Sequence, residues 1–72
     1  MTALRWGILA TGGIAHAFTA DLKTAGLTVT AVGSRRTESA QEFAAQYGIP
    51  RSYGSYDELV ADPEVDIVYI AT

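Results

Sequence analysis

Apolar and polar positions alternate along this chain in seven blocks. Leu4, Trp6, Ile8 and Leu9 fall in a run, Leu4 to Ala10, whose one charge is Arg5, which predicts a buried strand. Thr11-Gly12-Gly13 breaks the run. Ile14, Phe18 and Leu22 then recur every four residues with Ala15 and Ala25 beside them, predicting a helix with that apolar face and a left-handed cap at Gly26. Leu27 to Gly33 carries the β-branched residues Thr28, Val29, Thr30 and Val32 and predicts a second strand. After the polar Ser34-Arg35-Arg36, Thr37 is placed to cap a helix with Glu38 in its first turn. Ala40, Phe43, Ala44 and Tyr47 give its apolar face, and Gly48 and Pro50 stop it. A very short strand falls within Arg51 to Gly54. Ser55-Tyr56-Asp57-Glu58 has the pattern of a capping box and opens a short helix that Asp62-Pro63 ends. Asp66 to Thr72 closes the pattern as a strand with Ile67, Val68 and Ile70 expected inside.

Strands that alternate with helices pair in parallel through right-handed crossovers. The expected fold is therefore α/β: a doubly wound parallel sheet of the Rossmann type, N-terminal portion only. The 72 residues amount to about one mononucleotide-binding half. They are expected to form the N-terminal part of a dinucleotide-binding domain. The remainder of that domain, and a substrate domain, would lie beyond Thr72.

Composition narrows the partners. Hydrophobic residues make up 49% of the chain and charged residues 18%, as in a globular protein. Five Lys and Arg face eight Asp and Glu, for a net charge of −3, which argues against nucleic acid and anionic membranes as partners. No cysteine is present, so disulfides and thiolate metal sites are excluded. No apolar run approaches the roughly 18–20 residues of a membrane span, and the first residues lack the pattern of a signal peptide, so the default location is cytoplasmic.

The stretch WGILATGGIAHAF, residues 6–18, carries the first candidate chemistry. A dinucleotide fingerprint wants three small residues where a strand turns into a helix: one for the tight turn, one for close approach of the pyrophosphate, one for helix–strand packing. Ala10, Gly12 and Ala15 fill these positions. Ala10 is tolerable there at negative φ, which is the expectation. The N–H groups of Gly13, Ile14 and Ala15, with Thr11 beside them, would face a phosphate at the helix N-terminus. The bland alternative is an ordinary glycine turn, but the position inside a β-α-β unit favours phosphate. His16 stands where a T-G-x-x-x-G pattern needs glycine, and is itself read as a solvated helix residue.

In this fold the end of the second strand selects the cofactor. An acid there bonds the 2′-hydroxyl of NAD, whereas a cation accommodates the 2′-phosphate of NADP. The sequence supplies Ser34, Arg35 and Arg36 and no acid before Glu38, which favours NADP and leaves NAD as the second choice. Thr72 ends a strand at the ligand-binding edge of the sheet. Asp57, Glu58, Asp62, Glu64 and Asp66 read as caps and turns, and Tyr47, Tyr53, Tyr56 and Tyr69 as packing residues with a wet end.

Three segments, RWGILATGGIA, VTAVGSRRTESAQEFAAQYGIP and SYDELVADPEVDIVYIAT, together resemble the N-terminal domain of the glucose-fructose oxidoreductase and inositol dehydrogenase family, nearest to its dihydrodiol-dehydrogenase-like members. The resemblance spans essentially the whole chain. It implies an NAD(P)-dependent oxidoreductase that moves a hydride between nicotinamide and a sugar, polyol or related secondary alcohol or carbonyl. It also implies Thr11 to Ala15 at the pyrophosphate, Ser34 to Arg36 at the adenine ribose, and Ala71-Thr72 toward the nicotinamide. The family's Glu-Lys-Pro motif and its substrate-site residues would lie beyond Thr72, so no catalytic residue is expected in this segment. The partners implied are the dinucleotide and a small alcohol or carbonyl substrate, and a homo-oligomer is compatible. The alternatives are a non-catalytic dinucleotide-sensing module and a purely structural α/β domain.

Overall fold

The computed structural model describes residues 4–71. Its elements are β1 (Arg5–Leu9), α1 (Gly13–Thr24), β2 (Thr28–Gly33), α2 (Thr37–Tyr47), β3 (Arg51–Tyr53), α3 (Tyr56–Val60) and β4 (Ile67–Ile70). The strands form one parallel sheet in the order β3-β2-β1-β4, the α/β architecture expected of a Rossmann half. Three predicted strands lose terminal residues: Leu4 and Ala10 lie outside β1, Leu27 outside β2, and Asp66 and Ala71 outside β4. Thr72 falls outside the described residues.

Successive side chains of a strand point to opposite faces, and this sorts the layers. Ile8 and Val32 pack with Ala15 and Leu22 of α1 and with Phe43 and Ala44 of α2, so both helices cover one face. On the other face Gly7 and Gly33 lie under Leu59 of α3. A Cβ added at Gly33 would meet the Leu59 Cβ at 2.9 Å, and one at Gly7 a Val65 methyl at 2.8 Å, so these glycines exist to let α3 sit close. At the far side of the first face, Trp6 meets Phe18 edge-on at 5.6 Å, and Phe18 stacks on Tyr69 at 3.7 Å.

The caps differ in part from the sequence reading. Gly48 closes α2 at φ +66 and Gly26 follows α1 at φ +78, both left-handed as expected. Ser55 accepts from the Glu58 N–H at 3.2 Å, completing the predicted cap of α3. At α2, however, Arg36 is the cap residue and Thr37 is the first helical one, with no side-chain cap bond.

The apolar face of α1 is shifted from the predicted one. Its inward stripe is Ala15, Thr19 and Leu22, while Ile14 is 59% exposed and Ala25 lies on the surface. Helix geometry explains the shift: α1 starts at Gly13 and turns Ala15 into the core, and successive helix residues are about 100° apart, so Ile14 is rotated off that face. In β4 the expected burial of Ile67, Val68 and Ile70 is only partial, with Ile70 64% exposed. Ile70 points to the face on which α3 packs over β1, β2 and β3. Among the described residues, no helix is long and apolar enough to cross a membrane.

Candidate functional site

The carboxyl ends of β1, β2 and β4 meet at one edge. Ala10 N–H donates to the Gly33 carbonyl at 2.8 Å, and Ala71 N–H donates to the Leu9 carbonyl at 3.1 Å. Parallel pairing therefore continues one residue past each strand, setting Ala10, Ser34 and Ala71 side by side. Ala71 is buried. The expected negative φ at Ala10 is incorrect: Ala10 has φ +95, the one left-handed non-glycine among the described residues. The ladder bond to Gly33 holds its N–H while the chain must turn sharply toward α1, and an L-residue meets that demand only with strain.

Thr11 and Gly12 carry the turn into α1. The first intrahelical bond runs from His16 N–H to the Gly12 carbonyl at 3.1 Å. Gly12 caps the helix at φ −78 with no side-chain oxygen to satisfy it. The N–H groups of Gly13, Ile14 and Ala15 precede that first bond, so they present donors and the positive end of the helix dipole. Ala15 is fully buried between helix and sheet, as the third fingerprint position requires. Gly12 and Gly13 contrast with Gly7 and Gly33. A Cβ at either would have nothing within 4 Å, and neither has a positive φ. The fold itself makes no demand for glycine there.

Beyond β2, Ser34 is buried, and its Oγ accepts from the Arg36 N–H at 3.3 Å while its own N–H donates to the Tyr53 carbonyl at 3.0 Å. Its hydroxyl thus shapes the turn that presents the two arginines. Arg35 lies over the Tyr56 ring at 5.9 Å, the outer limit of a cation–π contact. Arg36 reaches Glu38 only at 4.0 Å, with its side chain 77% exposed. Such an exposed pair contributes little, so both guanidiniums face solvent at the site.

His16 departs from its sequence reading as a solvated residue. It is half-buried, with Nδ1 2.8 Å from the Tyr47 hydroxyl and its ring 4.5 Å from Phe43. It joins α1 to α2 at the base of a cleft of about 160 Å³ lined by Thr11, His16, Ser39, Glu42, Phe43 and Gln46. The polar lining from α2 was not singled out in the sequence. Its signal is the 39, 42, 46 spacing, which places three polar residues on one helix face beside Phe43.

The acids of the α3–β4 turn lie away from this edge. Asp62 has no exposed side-chain surface and accepts from Tyr53 Oη at 2.7 Å, Arg51 Nη1 at 2.8 Å and Glu64 N–H at 2.8 Å. Burial pushes its carboxyl up, but these three hydrogen bonds outweigh it and hold the carboxyl below the usual aspartate range. The hydrogen bond to Asp62, with burial, raises the Tyr53 hydroxyl. Asp66 is likewise lowered, first by the Arg5 side chain and then by the Arg5 N–H. Arg5 binds Asp66 through Nε at 3.0 Å and also reaches Glu64. Among the described residues, no cluster of His, Asp or Glu is arranged to hold a metal.

Residues 4–72 match the model of an oxidoreductase family with an NAD-binding Rossmann fold, GFO_IDH_MocA. The chain belongs to this family. Among curated relatives, a trans-1,2-dihydrobenzene-1,2-diol dehydrogenase of Danio rerio is 52% identical over 73 residues, covering 97% of this chain and 22% of that protein. Among solved structures of NAD(P)-linked enzymes, an NAD binding oxidoreductase from Klebsiella pneumoniae superposes with a TM-score of 0.90 at 26% identity, over 99% of this chain and 21% of that one. A 3-ketoreductase variant from Actinomadura kijaniata, in complex with TDP-benzene and NADP, superposes with a TM-score of 0.86 at 31% identity, over 94% of this chain and 21% of that one. This family member therefore spans about a fifth of the length of the proteins it matches.

Proposed function

We propose that this chain is the cofactor-binding N-terminal part of a nicotinamide-dinucleotide oxidoreductase. The observation that carries the reading is the pair Gly12 and Gly13. Both are glycines without an internal reason, at the mouth of a helix whose first N–H groups lack intrahelical partners. A pyrophosphate approaching the backbone supplies the missing reason. Gly13, Ile14 and Ala15 would donate to it, with Thr11 beside them. Ala71, just past β4, and Thr72, the next residue in the chain, would lie toward the nicotinamide.

NADP(H) is the favoured cofactor. Ser34 holds the turn, and Arg35 and Arg36 stand where the 2′-phosphate of the adenine ribose would lie. Neither arginine is consumed by a close carboxylate. When bound, nicotinamide supplies the hydride chemistry. This chain's residues bind and orient the dinucleotide, and the proton-transfer groups belong to the rest of the protein. The substrate proposed is a secondary alcohol or its carbonyl on a vicinal diol, sugar or polyol. The diol dehydrogenase relative, about half identical over this segment, supports that class.

The test is kcat/KM of the complete protein for NADP(H) and NAD(H), in wild type and Arg35→Ala. A charge-assisted hydrogen bond contributes about 1.5–3 kcal/mol, so the substitution should weaken NADP(H) by roughly 10- to 100-fold and spare NAD(H). Equal loss for both cofactors, or a wild-type preference for NAD(H), would refute the role given to the arginines.

A further inference from the structure

We infer that Ala10 is a positioning residue for the dinucleotide, retained at the cost of fold stability. The inference rests on the cofactor reading above and deepens it. Ala10 is clamped on both sides: its N–H is held by Gly33, and the preceding carbonyl, of Leu9, by Ala71. Two residues later the Gly12 carbonyl is committed to the first bond of α1. The chain between these anchors consists of Ala10 and Thr11, and the turn falls on Ala10 at φ +95.

A methyl group narrows the choices at such a turn. Glycine visits positive and negative φ with similar ease, so a glycine here would relieve strain and also free the turn to swing. Alanine, held at positive φ by its ladder bonds, leaves the following Thr11–Gly12 segment one conformation to present. The fingerprint position that glycine would fill most cheaply is thus occupied by a residue that stiffens the loop. The loop's ordering is completed on folding rather than on binding.

This assignment gives stability and affinity opposite signs for one substitution. In the complete protein, Ala10→Gly should raise Tm by about 1–4 °C. It should also raise KM for the dinucleotide about 2- to 5-fold, with kcat and the KM of the alcohol substrate unchanged. Ala10→Ser, which keeps a Cβ, should retain wild-type affinity. If Ala10→Gly raises Tm but leaves the dinucleotide KM equal or lower, or if Tm falls, the positioning role is wrong. If the wild-type protein binds neither NADP(H) nor NAD(H) in a direct titration, the cofactor reading itself fails, and this inference with it. Loss confined to Ala10→Gly cannot be mistaken for that outcome.

Discussion

At the amino ends of β1 and β4, Arg5 grips Asp66 and Glu64, and nearby Arg51 and Tyr53 close on a buried Asp62. At the carboxyl ends of the same sheet, Arg35 lies loosely over a tyrosine ring, and Arg36 is 4.0 Å from its nearest carboxylate. The same residue type has two fates within one small sheet. Around the α3–β4 turn, guanidiniums are paired with acids, and Asp62 and Asp66 are drawn below the usual aspartate range. At the opposite edge, among the described residues, the cations are held only loosely, the first N–H groups of α1 lack intrahelical partners, and the backbone of Ala10 is strained. A region that satisfies its own polar groups holds the fold, and a region that does not is built for something from outside.

The comparison breaks most sharply at Asp62. Asp62→Ala would remove three hydrogen bonds to a carboxylate and leave Arg51 and Tyr53 without their partner. Because Arg51 is partly exposed, the loss should be about 2–3 kcal/mol, seen as a lower denaturation midpoint. Dinucleotide affinity should not change. A fall in affinity with little loss of stability would erase the division between the two edges.

Acid should reveal the same site with a defined sign. The folded protein keeps Asp62 ionised to lower pH than the unfolded chain, whose aspartate titrates near 3.8. Below that pH the unfolded chain binds the proton first, so the stability from Asp62, fully present above it, is lost as pH falls through the folded value. Asp62→Asn should flatten this acid limb of a stability–pH curve, and Asp66, lowered in the same direction, should leave a residual slope behind. An unchanged curve would mean that Asp62 is not the hub described.

A smaller effect sharpens the ligand edge. Arg36→Ala should weaken NADP(H) by less than about 3-fold, because an exposed guanidinium with an exposed acid nearby gains little in high dielectric. An effect as large as that of Arg35→Ala would move the proposed phosphate contact from Arg35 to Arg36.

Much of this was legible in the pattern of residues. Periodicity located every strand and helix, and glycine and serine marked three of the caps. The fingerprint positions Gly12 and Ala15 and the Ser34–Arg36 turn came from spacing within a β-α-β unit. What was missed depends on contacts that spacing does not carry. The φ of Ala10 is imposed by bonds to Gly33 and, through Leu9, to Ala71, residues far away in the chain. The exposure of Ile14 follows from the rotation of α1 that turns its neighbour Ala15 into the core. Asp62 reads as a helix stop, and only the return of β3 brings Arg51 and Tyr53 to it. His16 looked solvated because its partners, Phe43 and Tyr47, lie on another helix.

The central claim is that backbone at Gly12 lies against a pyrophosphate. The most direct measurement is a titration of the complete protein and its Gly12→Val variant with NADP(H) and NAD(H), alongside thermal melts. A Cβ at Gly12 meets no protein atom within 4 Å, and its φ of −78 suits any residue, so the variant should fold with a stability loss of no more than about 1 kcal/mol. Its affinity for both dinucleotides should fall by about 100-fold or more, since the side chain occupies the space of the phosphate. A folded Gly12→Val protein that binds either dinucleotide as tightly as wild type would contradict the account.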